Sequence, residues 1–466
     1  MRFLFLPALS ALLLSACATD PHAGRSWQAG DHHVHSEWSV DWDRSTSPPT
    51  PIRGGDSPYT RSRNARQGQT FGLTWMVHTD HGGPGHSAVT RDHAWPALEQ
   101  ARRDVPALIQ FNGMEFDVPA AEHASLIIAP GPRERDELVE IERRFSRNEP
   151  VDGVQRDDTQ TMLDALAHMR TLPAPPLLFV NHPSRTATGV GQWGEVEPAE
   201  LRAWHDTAPQ VLVGMEGAPG HQATRTERGL YRNAAAPTFG GFDQMTTQVG
   251  GVWDTLLAEG RRFWITATSD SHHNLRDGGR DYDPGEYSKT YVWARRDAGD
   301  ILDGLRQGRM FAVTGDLIDA LELTVRGTDG TAHVATLGDT LALPAGTTMH
   351  IELRVRQPAV PNAHGKRPLL AQMELIVGTP GDDGIPVMQT RRWGADTWRC
   401  DGDWLIVTWE VPVPARGAFL RARGSSTHEA TPQADVPGED PWQDLWFYSN
   451  PVFIDVTGTS SQTATH

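Results

Sequence analysis

The chemistry of this chain begins with two imidazoles one residue apart. In Gly30-Asp31-His32-His33-Val34-His35-Ser36-Glu37, an extended backbone points residues two apart to the same side, so His33 and His35 can present nitrogens to one point in space. That is a metal-ligand geometry. With 20 histidines in 466 residues, about one His-x-His pair arises by chance, so the pair takes its weight from the segments downstream of it.

Four later hydrophobic runs each stop abruptly in ligand-type residues. They are Thr74-Trp75-Met76-Val77-His78-Thr79-Asp80-His81, Ile109-Gln110-Phe111-Asn112-Gly113-Met114-Glu115, Leu177-Leu178-Phe179-Val180-Asn181-His182-Pro183 and Phe263-Trp264-Ile265-Thr266-Ala267-Thr268-Ser269-Asp270-Ser271-His272. Buried strands with polar, chemically competent carboxyl ends are how a parallel α/β barrel presents an active site. His, Asp and Glu donors without a thiolate suit borderline and harder divalent ions, so Zn2+, Mn2+ and Fe2+ are all admissible. Ions about 3.5–4 Å apart would bring a bound water's pKa near neutrality and polarise the oxygen of the bond to be cleaved. The expected reaction is hydrolysis by that hydroxide, without a covalent intermediate.

In this order the runs resemble the polymerase and histidinol phosphatase (PHP) superfamily, whose signatures are D-x-H-x-H, T-D-H, G-x-E, x-H-P and S-D-x-H. The later run Leu305-Arg306-Gln307-Gly308-Arg309-Met310-Phe311-Ala312-Val313-Thr314-Gly315 is similar to secreted PHP relatives that include carbamate-hydrolysing enzymes. The resemblance covers roughly residues 28–320. It implies an α/β fold, a distorted (β/α)7 PHP barrel, and two or three divalent ions. By the same resemblance, His33 and His35 bind a first metal that Asp270 completes, and Glu115 bridges it to a second that His182 and His123 join. His81 and His272 bind a third. Members with three metals carry a His or Asp several residues after the first pair; here that is Asp41, with Asp43 as the alternative. Asp31 and Asp80 are expected to accept the outer N–H of a ligating imidazole, which fixes its tautomer, with direct ligation of a metal as the alternative. His78 falls on the opposite face of an extended strand from His81 and is expected behind the ligands. His168 lies beside a helical apolar stripe and is left out of the chemistry.

The activity expected is that of a metal-dependent phosphoesterase, with Glu115 and Asp270 at the reacting centre. An ester, carbamate or amide hydrolase on the same metals is the first alternative, and a metal-holding surface lipoprotein without turnover is the second. Arg185 and Arg225 are placed to clamp phosphate oxygens. Glu216 or His221, near the end of the run that starts at Val211, would give the leaving group its proton.

The elements that must position these residues follow from composition and periodicity. Met1 to Leu14 is a basic residue and an apolar run too short to span a bilayer. Leu14-Ser15-Ala16-Cys17 resembles a bacterial lipobox, implying removal of residues 1–16 and a lipid on Cys17; an ordinary signal peptide is the alternative, and either exports the protein. Ala18 favours the outer membrane under the same resemblance. The formal charge is −17, and loss of the Arg in the leader makes it −18. A chain this acidic lacks the basic footprint of a nucleic-acid binder, yet a small phosphate ester remains an admissible substrate, because divalent ions offset the local carboxylates. If Cys17 carries lipid, Cys400 has no partner and the fold does without an intrachain disulfide.

Residues 17–27 read as a linker, 28–320 as the metal domain, 321–456 as a small β-sandwich and 457–466 as a disordered tail. Period-two alternation in the segments beginning at Leu321, His350, Met373, Trp404 and Phe419 argues for the sandwich. Helical spacing appears over Asp158 to Met169, Thr247 to Glu259 and Gly299 to Gln307, the last with Asp300 as N-cap. The Pro- and Gly-rich stretch from Asp41 comes directly after the first ligand strand, so it either folds over the site as a loop or is a disordered insertion.

Overall fold

The computed structural model describes residues 24–149, 154, 156–221, 223, 231, 234–328 and 333–457. The leader, Cys17, Arg225 and the tail after Thr457 lie outside them. Short runs of apolar residues become the strands that carry the site: β1 (Ser26–Asp31), β2 (Trp75–His78), β3 (Ile109–Asp117), β4 (His123–Ile128), β5 (Leu177–Val180), β6 (Leu212–Ala218) and β7 (Trp264–Ala267). Every residue of β2, β5, β6 and β7 is buried. Such strands are covered on both faces, and that is why their sequences run apolar without alternation. Helices such as Glu134–Phe145, Thr159–Met169 and Pro198–Thr207 supply part of the cover through Leu138, Ile141, Leu166 and Leu201, which share one core with Phe111, Phe179 and Ile265.

The strands form a mixed sheet. β1, β2 and β3 are parallel, β4 runs antiparallel between β3 and β5, and β6 and β7 continue parallel to β5. On the other side of β1 stand β8 (Ser288–Ala294) and then β9 (Met310–Thr314), each antiparallel to its neighbour. Reversal at β4 has a consequence for function. An antiparallel strand begins where its neighbours end, so His123, the first residue of β4, arises at the same edge as the carboxyl ends of β1, β2, β5 and β7.

Among the described residues no backbone ladder runs from β7 back to β8 or β9, so backbone pairing does not close the sheet. Side chains satisfy that edge instead. Thr290 Oγ1 accepts from Ala267 N at 2.8 Å and donates to Ala267 O at 2.9 Å. Asn450 Oδ1 accepts from Ile265 N at 2.9 Å while its Nδ2 donates to Ile265 O at 3.0 Å. The fold is therefore a mixed α/β one with one large mixed sheet.

From Ala320 the chain builds a 5-stranded sheet around Ala320–Gly327, Thr348–Arg356 and Trp404–Pro412. Its inward Leu321, Leu323, Ile351 and Leu353 share a core with Leu375, Leu420, Val452 and Ile454 of the facing strands. Those facing strands belong to the first sheet: Trp446–Ser449 pairs with β9, Phe311 opposite Ser449 and Val313 opposite Phe447, giving 15 strands in one sheet. Arg421 reinforces the join by donating from Nε and Nη2 to Asp254 at 2.7 and 2.9 Å, both side chains wholly buried. The chain after residue 320 is thus hydrogen-bonded into the sheet that bears the site.

Two helix expectations need correcting. The late helix is Ala298–Gln307, and its N-cap is Asp297, whose carboxylate accepts from Asp300 N; Asp300 is turned instead to Arg25. The helix expected from Thr247 begins only at Val252, because Gly250 takes a positive φ of 80° and Gly251 serves as N-cap. The stretch from Asp41 forms a hairpin of Asp41–Asp43 against Thr50–Ile52.

Candidate metal centre

Side chains from the strand ends meet around Glu115. Its Oε1 lies 3.3 Å from His33 Nε2, 3.0 Å from His123 Nδ1 and 3.0 Å from His182 Nε2, and its Oε2 lies 3.0 Å from His81 Nδ1 and 3.3 Å from His35 Nε2. Asp270 Oδ1 is 3.1 Å from both His33 Nε2 and His35 Nε2. His272 stacks on His35 with ring centroids 3.7 Å apart and points Nε2 at Asp56 Oδ2, 3.3 Å away. Ligand atoms within 4.8 Å of one another form several groups: His33, His35, Glu115 and Asp270; His35, Asp56, His81 and His272; His81, Glu115 and His123; Glu122, His123 and His182; and His221, Asp270 and His272.

Whether these residues fit a cation can be judged from their protons. A neutral imidazole brings one N–H, and a carboxylate brings none. Glu115 Oε2 and His182 Nδ1 are buried with no hydrogen-bond partner, and leaving such atoms unpaired costs about 1–3 kcal/mol each. Lone pairs crowded on one point with too few protons between them are what divalent ions satisfy. The donor set fits. Burial by itself would raise the carboxyl pKa values of Glu115 and Asp270, but the imidazoles around them hold both well below the usual carboxylate range.

The ligands are fixed from behind. His33 Nδ1 donates to Glu216 Oε1 at 2.7 Å, and the other Glu216 oxygen accepts from His182 N at 2.7 Å, so one buried carboxylate orients two ligand residues. Ser39 Oγ receives His35 Nδ1 at 3.1 Å and donates to Asp56 Oδ2 at 2.6 Å. His272 Nδ1 faces its neighbour's carbonyl, Asp270 O, at 3.0 Å. Asn181 Nδ2 donates to Glu115 Oε1 at 3.0 Å while its Oδ1 accepts from Ser125 N at 2.9 Å. The backbone is bent to reach these positions. His182, His221 and Asp270 have φ of 28°, 59° and 47°, and left-handed conformations outside glycine cost about 1–3 kcal/mol each and gather at functional sites.

Several sequence expectations change. Asp41 and Asp43 do not supply the early carboxylate. Asp41 is exposed on the hairpin and accepts from Trp42 N, and Asp43 accepts from Ser45. Asp56, delivered after the hairpin has turned back, stands beside His35, His81 and His272 in their place. Asp31 and Asp80 do not orient imidazoles: Asp31 accepts from His33 N and Ser269 N, and Asp80 accepts from Ser36 N and pairs with Arg61 Nη2 at 2.7 Å. Short carboxylates next to a strand end meet turning amides before they meet a ring. The tautomer-fixing role falls to Glu216, which removes it as a proton donor. His78 points away to Gln110 Oε1, and burial pushes its pKa down to about 3.

Arg185 and His221 do reach the cluster. Arg185 is paired with Glu122, and its Nη2 lies 3.3 Å from His123 Nδ1. Burial would lower the pKa of this guanidinium, but Glu122, with Glu115 and Asp270 beyond it, holds it raised. His221 bridges Asp270 Oδ2 and Asp281 Oδ1, 2.6 Å from each. Asp56, Glu122, Glu216, Asn181 and Asp281 are among the site residues that sequence reasoning missed or misassigned. Asn181 and Glu122 carried a local signal, as the neighbours of His182 and His123.

Comparison with known proteins adds no family: the chain matches no protein-family model, and no curated protein matches it.

Proposed function

We propose that this chain is a PHP-type metal-dependent hydrolase of phosphate esters, its sheet being a distorted PHP barrel and its extension past residue 320 a β-sandwich. The observation that carries the reading is the convergence of His33, His35, Asp56, His81, Glu115, His123, His182, Asp270 and His272 on one strand edge, with Glu115 Oε2 buried there without a hydrogen-bond partner. His33, His35, Glu115 and Asp270 would hold one ion, His123 and His182 a second with Glu115 or Glu122, and Asp56, His81 and His272 a third. Divalent ions there would polarise a phosphoryl oxygen and acidify a water.

The protein's own groups do the rest. Arg185, fixed by Glu122 against the second group, supplies a guanidinium for a phosphoryl oxygen, the planar match that favours phosphorus over a neutral carbonyl. His221, held at both nitrogens and exposed on one side, carries the proton that the leaving oxygen needs. Glu216 keeps His33 and His182 in place while this happens. The leader and Cys17 support export as a lipoprotein whose lipid sits in the outer membrane. Among the described residues no helix is long and apolar enough to cross a membrane.

The test is a metal count on the intact mature protein, followed by turnover of p-nitrophenyl phosphate, its bis ester and p-nitrophenyl acetate with Mn2+ or Zn2+. Two or three ions per chain, phosphate-ester turnover and its loss in Glu115→Gln with the fold intact are expected. Turnover of the acetate alone would move the reading to carbon esters. Bound metal with no turnover would leave a binding protein.

A further inference from the structure

Beside the metal centre the surface is cut by a cleft of about 560 Å³ that reaches Asp56, His81 and His123 on one wall. A second chamber of about 650 Å³ adjoins it, and Val40, Trp42 and Pro84 line both. Trp42 is thus a wall that the two share. Their walls differ in chemistry. The cleft at the metals carries Asp41, Asp56, Asp117, Arg44 and Arg147. In the chamber the surface is made of Trp38, Val40, Trp42, Ala88 and Val89 with prolines of the hairpin, and charge enters only through Arg53, Asp92, His93 and Glu149.

The chamber is also built to keep its shape. Trp38 is held by His93, stacked at 5.0 Å and 10°, and by the Arg53 guanidinium 4.6 Å from its ring. Trp42 lies directly on the backbone of Gly83, where a Cβ would come within 2.3 Å of the indole, so the ring can sit there only because residue 83 has no side chain. Pro48, Pro49 and Pro51 stiffen the facing wall. Flat, rigid, apolar surfaces bind flat apolar groups with little loss of entropy, and the volume lies in the range of sites that enclose drug-sized ligands.

We propose that the chamber beyond Trp42 is the subsite for the organic half of the substrate, and that the preferred substrates are phosphate esters of bulky aromatic or fused-ring alcohols. This rests on the phosphoesterase reading of the metal centre. The phosphoryl group stays with the metals and Arg185, while the alcohol's ring passes Trp42 and lies between the two indoles and the prolines. The hairpin after the first ligand strand thus becomes the specificity element of the site.

The experiment compares phenyl phosphate with 2-naphthyl phosphate, whose leaving groups are of similar acidity, by released phosphate in the metal-loaded protein. The extra fused ring is expected to raise kcat/KM by about tenfold. Within each variant the ratio of the two kcat/KM values should fall towards one when Trp42→Ala removes the wall, and again when Ala88→Trp fills the chamber from an exposed position. A ratio near one in the parent protein, or one that survives both substitutions, overturns the proposal. Binding of 2-naphthol, read by quenching of tryptophan emission, serves as a measurement independent of turnover. If neither ester is hydrolysed but 2-naphthol binds and Ala88→Trp weakens it by tenfold or more, the chamber stands and the phosphoesterase reading falls. If 2-naphthol does not bind, the chamber assignment falls with or without activity.

Discussion

Glu216→Gln tests whether the cluster is a metal site at all, because it changes no proposed ligand and almost no volume. Glu216 receives donors on both oxygens: His33 Nδ1 at 2.7 Å and Thr268 Oγ1 at 2.8 Å on Oε1, and His182 N at 2.7 Å on Oε2. A glutamine can accept at only one end. Whichever way its amide turns, an NH2 group faces an N–H donor, and either His33 surrenders its Nδ1 proton or the His182 turn loses its anchor. Losing one buried, charge-assisted hydrogen bond costs about 2 kcal/mol, which is about 30-fold in affinity and agrees with the 10–100-fold found when outer partners of metal ligands are removed. The assay is competition for Zn2+ or Mn2+ against a chromophoric chelator, with circular dichroism as a control for folding. The expected variant is folded, binds about 30-fold more weakly and regains turnover at saturating metal. A folded variant whose metal affinity stays within twofold would refute the reasoning, since His33 and His182 would then not be ligands oriented by this carboxylate.

The remaining expectations concern separate parts of the molecule. Asp56→Asn should lower the number of ions bound per chain by one while Asp41→Asn leaves the count unchanged; mass spectrometry under native conditions distinguishes them, and the reverse result would restore Asp41. Arg421→Met strands Asp254 as an unpaired buried charge and should cost about 3–5 kcal/mol by urea denaturation, whereas Arg421→Met with Asp254→Leu should recover most of that; equal losses in the single and double variants would show that the pair does not tie strand Ala418–Ser425 to helix Val252–Ala258. His86 gives a pH signature away from the ligands. Its Nδ1 donates to Glu142 Oε1 at 2.6 Å, and although burial opposes the charge, Glu142 and the Trp38 carbonyl push its pKa up to about 9. A pKa raised on folding stabilises fully below the unfolded value near 6.5 and is lost as pH rises through about 9, a change of about 3 kcal/mol. Unfolding free energy should therefore fall between pH 6 and pH 10 by about that much more in the parent than in His86→Gln, and parallel profiles would exclude the charged pair.

Some of this protein was written locally in the chain. Two-residue periodicity placed His33 and His35 on one side of an extended segment, and unbroken apolar runs ending in His81, Glu115, His182 and Asp270 announced buried strands with polar ends. Alternation located strands beyond residue 320 such as Ala320–Gly327 and Thr348–Arg356. These features need only the geometry of a few consecutive residues, which sequence encodes directly. What the tertiary structure alone decided is everything that depends on which segment lies beside which. Asp56 displaced Asp41 because a hairpin closes on itself before it returns to His272, and ring closure leaves no mark at a fixed spacing. His123 arrives at the site because β4 runs against its neighbours, and Glu216 reaches His33 across 183 residues of chain. Continuity of one sheet from β9 into Trp446–Ser449 is likewise a pairing of distant backbones, whose hydrogen bonds carry no side-chain signature in either strand.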